Sequence, residues 1–70
     1  MRPKKRSLTL RGHRTSVSLE PEFWDAFRRI ARADGRALNE LASEIDAARA
    51  PDTNLASAIR VFVLRRVTEH

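Results

Sequence analysis

The sequence contains no cysteine and no tyrosine, only two glycines, and no acidic residue before Glu20. Without cysteine no disulfide can staple the chain, and no thiolate is available as nucleophile or zinc ligand. The two histidines, His13 and His70, lie at opposite ends with no carboxylate or cysteine at ligand spacing, so no structural metal site is expected. Two isolated glycines cannot form a glycine-rich phosphate loop, and no histidine is placed to prepare a serine or threonine nucleophile. Chains of 70 residues rarely form a deep pocket, so no enzymatic activity and no cofactor are expected. The basic start MRPKKR resembles that of a signal peptide, yet SLTLRGHR supplies no apolar region behind it. No apolar run approaches the length of a membrane span. The expectation is a soluble, cytoplasmic protein.

At 70 residues the chain is one domain, too small to bury a large core, and oligomerisation is the remaining route to stability. The formal net charge of +5 is unevenly spread. Residues 1–14 hold Arg2, Lys4, Lys5, Arg6, Arg11 and Arg14 against no acid, while the remainder is close to neutral. A basic end on a neutral body is the footprint of a protein that lays that end on a polyanion. Residues 1–12 are therefore expected to be a flexible basic arm, with Lys4, Lys5, Arg6, Arg11 and His13 as phosphate contacts and 13–70 as the folded domain.

From Arg14 to Leu19 the sequence R-T-S-V-S-L alternates as a half-buried strand does. Thr15, Val17 and Leu19 share the face to be buried; Arg14, Ser16 and Ser18 share the other. Glu20-Pro21-Glu22 opens a helix, since proline suits the first turn and acids there offset the positive end of the dipole. Phe23, Ala26, Phe27, Ile30 and Ala31 or Ala33 form its stripe, widened by Trp24, which is expected in the core or a dimer interface. Arg28, Arg29 and Arg32 lie opposite as a solvated face. Asp34-Gly35 ends the helix. Leu38, Leu41, Ala42, Ile45 and Ala48 make a second stripe, closed by Pro51-Asp52. Asn54 or Thr53 then caps a third helix, at about 54–67; dense β-branched residues leave a strand over Arg60–Val67 as the alternative. The segment Val61–Leu64 is core, dimer surface or a partner site.

A lone strand leaves both backbone edges unpaired. A second copy related by a two-fold axis would pair with it, putting Arg14, Ser16 and Ser18 of both chains on one outward face. Such a polar two-stranded ribbon fits the major groove of DNA.

These features, R-T-S-V-S-L, the Glu-Pro-Glu start, the Asp-Gly turn and the second amphipathic helix, resemble the ribbon-helix-helix (Arc/MetJ-like) family of dimeric DNA-binding proteins. GRALNELASEIDAAR and NLASAIRVFVL resemble a subgroup with an added C-terminal helix. The resemblance implies a mainly α fold with one short strand per chain, an intertwined homodimer and a two-stranded antiparallel ribbon. It assigns base contacts to Arg14, Ser16 and Ser18, and a phosphate contact to the backbone at Arg36, Ala37 and Leu38. The dimer core would comprise Thr15, Val17, Leu19, Phe23, Phe27, Ile30, Leu41 and Ile45. Where the family often caps the second helix with serine or threonine this chain has Ala37, leaving Glu40 as the acid half of a capping box. The functional expectation is a transcriptional repressor on a short palindromic operator. The alternative is a dimeric adaptor or antitoxin-like module whose main ligand is a protein bound by the third helix. Because the chain ends soon after that helix, the DNA binder is favoured.

Overall fold

The computed structural model describes residues 2–69; Met1 and His70, the latter considered above as a metal ligand, lie outside the described residues. The element order is β1 (Lys4–Leu10), β2 (His13–Leu19), α1 (Pro21–Ala33), α2 (Leu38–Ala48) and α3 (Leu55–Thr68).

The basic segment is not a flexible arm. Lys4 to Leu10 forms a strand that pairs antiparallel with β2, from Lys4 opposite Leu19 to Leu10 opposite His13. The two-stranded ribbon expected from two chains is thus built within one, and β2 is not a lone strand. The connection is the two-residue turn Arg11-Gly12, with φ of +52° and +83°. Positive φ at both positions belongs to the type I′ turn, whose twist matches that of the flanking strands, and glycine suits its second position. Leu8 and Leu10, two residues apart before an X-Gly pair, carry the sequence signal for this hairpin. It is masked because Lys4 and Arg6 occupy the other inward positions of β1.

Leu8, Val17 and Leu19 are buried beneath the hairpin with Trp24, Phe27 and Ala31 of α1, Leu41, Ala42 and Ile45 of α2, and Ile59 and Val63 of α3. Phe27 is the hub: its ring centroid lies 6.3 Å from both Trp24, tilted, and Phe62, edge-on. Of the expected core, Phe23 and Ile30 are half-buried and Thr15 is exposed. The α1 stripe centres on Trp24, Phe27 and Ala31, the buried residues of a helix that packs chiefly against α3 and then α2.

The helix ends follow their local chemistry. Pro21 occupies the first turn of α1, and Gly35 takes φ +67° just beyond its end. Ala37 is the N-cap of α2 and makes no side-chain cap; Glu40 does not close a capping box but lies 3.8 Å from Arg36 Nε. Asn54 caps α3, its Oδ1 accepting from Ser57 N at 2.8 Å, so the segment is a helix throughout and not a strand.

Three ion pairs tie the elements together. Arg60 of α3 donates to Glu20 at 2.8 and 3.2 Å and to the Ser18 carbonyl at 3.2 Å. Arg66 donates bidentately to Asp34 at 2.8 Å, fastening α3 to the turn after α1. Arg36 forks onto Glu44. Hydrogen bonds from these guanidinium groups hold the carboxyls of Glu20, Asp34 and Glu44 below their ordinary pKa values.

Candidate nucleic-acid interface

In an antiparallel pair, residues directly opposite share a face. Lys5 faces Ser18, Ser7 faces Ser16 and Thr9 faces Arg14. All six are exposed, while Leu8, Val17 and Leu19 on the opposite face are buried. The hairpin therefore presents a polar, partly basic surface with no acid on either strand. The three residues expected to read bases, Arg14, Ser16 and Ser18, are brought together here. Ser7 and Thr9 join them; the alternation hidden in β1 is their sequence signal.

The expected phosphate contacts divide. Lys5 lies on the outward face. Lys4 and Arg6 belong to the other face, and the half-buried Arg6 guanidinium sits 5.3 Å from the Trp24 ring centroid, a cation–π contact. Its Nε is buried without a hydrogen-bond partner. Arg6 thus covers the core instead of facing outward. Arg11, at the hairpin tip, lines a shallow groove with Ala37, Asn39, Glu40 and Ser43, so it is brought beside the start of α2. His13 is exposed and lines an open cleft of about 790 Å³ below the hairpin tip, opposite Asp46 and Asp52.

At the start of α2, the first backbone hydrogen bond of the helix runs from Leu41 N to the Ala37 carbonyl. The N–H groups of Leu38, Asn39 and Glu40 precede it and lack helical acceptors, as at any helix start. Arg36 is different: its N–H donates to the Ala31 carbonyl at 2.9 Å and its side chain is committed to Glu44. Ala37 and Leu38 remain at the rim; Arg36 does not offer a free donor there.

The hairpin's two edges differ. Alternation from the Leu10–His13 turn directs the backbone groups of His13, Thr15, Val17 and Leu19 toward β1, and those of Arg14, Ser16 and Ser18 away from it. The Ser18 carbonyl accordingly accepts from Arg60. On β1 the outer edge is engaged by α2 at its Thr9 end, where Asn39 Oδ1 accepts from Thr9 N at 3.1 Å. Among the described residues the backbone of Arg14 and Ser16 finds no partner on that edge, which borders the cleft lined by Asp46, Arg49 and Asp52. No metal-binding cluster of three or more histidine or acidic side chains occurs among the described residues. Nor is any helix among them long and apolar enough to cross a membrane.

A sequence model of the family described as "ribbon-helix-helix domain" matches residues 3–67, nearly the whole chain and including β1. The chain belongs to the ribbon-helix-helix domain family. Ribbon-helix-helix domains are DNA-binding and regulatory modules, not enzymes, found in transcription regulators and antitoxins. This ribbon-helix-helix chain carries the two-stranded sheet, the two helices after it and a third, C-terminal helix. No curated protein and no solved structure shows a significant match to it.

Proposed function

We propose that the protein is a sequence-specific, double-stranded DNA-binding transcription regulator of the cytoplasm, a repressor that acts as a homodimer by occupying an operator of two half-sites. One observation carries this: an exposed, acid-free polar face on a twisted two-stranded sheet, in a chain of a DNA-binding family. Two copies join antiparallel through the β2 edges at Arg14 and Ser16, because Asn39 of α2 occupies β1's edge at Thr9 and Arg60 occupies the Ser18 end of β2. The exposed apolar residues Leu64 and Val67 of α3 support the same partner. Leu64 and Val67 fall at i+4 and i+7 from Arg60, the residue that reaches β2's edge, so a second copy seated there covers both.

In the dimer, Arg14, Ser16 and Ser18 of both chains enter the major groove. Arg14 supplies most of the discrimination, since its guanidinium alone has the two-donor fork that matches guanine O6 and N7, whereas serine hydroxyls bond several base edges. Arg11 and the backbone N–H groups of Ala37 and Leu38 meet phosphate at the rim, which favours anions at a helix start.

The test is binding of wild-type and Arg14→Ala protein to a library of duplexes at fixed salt. The variant is expected to lose on the order of 1–3 kcal/mol per bidentate contact on the preferred site and to relax one base pair in each half-site. Arg14→Lys should keep non-specific affinity and lose discrimination. Equal weakening on preferred and random DNA would reduce Arg14 to a phosphate contact. The α3 stripe supports a second reading, a dimeric module whose main ligand is a protein; failure of the wild type to bind duplex DNA would favour it.

A further inference from the structure

We infer that β1 is the phosphate-facing wall of the DNA-reading sheet, with Lys5, Ser7 and Thr9 contacting the sugar-phosphate backbone beside the bases that β2 reads. This rests on the dimer proposed above. Joining two hairpins through β2 gives a four-stranded sheet in the order β1, β2, β2, β1. At a spacing of about 4.8 Å the two central strands are narrow enough to enter a groove about 12 Å wide, but the outermost strand axes lie about 14 Å apart. The outer strands cannot share the groove floor and must lie against its walls, which are phosphate.

The side chains on those strands suit that place. Lys5 provides a flexible point charge, and Ser7 and Thr9 provide hydroxyl donors, all exposed and level with their β2 partners. Hydroxyl and ammonium groups are common phosphate donors that fix register without carrying sequence information. Neighbouring elements continue the wall. Thr9 N is bonded to Asn39 in the first turn of α2, and Arg11 lines the groove beside that turn. Thr9, Arg11 and the opening N–H groups of α2 thus follow one another along one side of the sheet. The only carboxylate in that groove, Glu40, lies 3.8 Å from Arg36 Nε. Sequence reading is thereby divided from anchoring by strand: β2 selects, β1 holds.

The experiment compares the wild type with Lys5→Gln and with the double variant Ser7→Ala/Thr9→Val on a randomised duplex library, with a salt titration on the preferred duplex. These side chains are exposed, so unchanged thermal melts are expected to show that the fold persists. Lys5→Gln should flatten the plot of log affinity against log salt by about 2, for two phosphates per dimer. The double variant should weaken preferred and random duplexes by the same factor, roughly tenfold, with the preferred sequence unaltered. A shift in base preference for either variant would mean that β1 itself reads bases, as when one protomer's hairpin enters the groove alone. Unchanged affinity and salt slope would place β1 in solvent. Either result overturns the wall assignment while wild-type DNA binding stands. A wild type that binds no duplex overturns the proposed function together with it.

Discussion

Leu8→Ala probes whether β1 is part of the folded body. Leu8 is 1% exposed and belongs to the core cluster shared by the hairpin and all three helices. The substitution removes three carbon groups, about 2.4 kcal/mol at 0.8 kcal/mol each, and the cavity left behind raises the cost to about 3–4 kcal/mol. A domain of this length has roughly 4–10 kcal/mol of stability in total, so the loss should be a third or more of it. The assay is urea unfolding followed by the fluorescence of Trp24, the single tryptophan and itself buried. Because the proposed dimer couples stability to concentration, both proteins are compared at the same concentration. The midpoint should fall markedly with little change in slope. A residue in a solvated arm would cost no more than about 0.5 kcal/mol. A value that small, in a variant that folds normally, would refute the packing of β1 and with it the intramolecular hairpin.

Two other perturbations address the assembly and the ion pairs. Ser16→Pro removes an N–H from the free edge of β2 without touching the bonds to β1, which come from Thr15 and Val17, so it should yield a folded monomer in sedimentation where the wild type is a dimer. A variant that stays dimeric would place the interface elsewhere. Glu20, Asp34 and Glu44 have pKa values lowered by their arginine partners, so their contribution to stability is present above the unfolded carboxylate values near pH 4 and is lost as pH falls through the lower folded values. Melting temperature should therefore decline below about pH 4, and Asp34→Asn should make that decline shallower. A melting temperature constant down to pH 3 would contradict these pairings.

The first two helices and their limits are legible in the sequence, while the third carries a strand over Arg60–Val67 as its alternative. Pro21, Gly35, the Ala37 cap, Asn54 and the three- and four-residue apolar spacings act within one or two turns, and local backbone chemistry is legible in order along the chain. The sequence by itself also determined the outward face of β2, because alternation in R-T-S-V-S-L needs no partner to be seen. What that strand pairs with is only faintly legible in the chain and is settled by tertiary contacts. In β1 the inward positions are Lys4, Arg6, Leu8 and Leu10, and the first two hide the alternation that the last two carry. Arg6 faces inward against Trp24, from another element, whose ring meets its guanidinium. The alternation and the resemblance put Val17 in a core shared between chains, yet it is 5% exposed within one protomer, since the body of the same chain covers it. The resemblance puts the Arg36 backbone N–H at a phosphate, but the Ala31 carbonyl of α1 accepts it at 2.9 Å and Glu44, eight residues on, engages its guanidinium. Each of these outcomes depends on side chains meeting across separate elements, and linear spacing holds no record of such meetings.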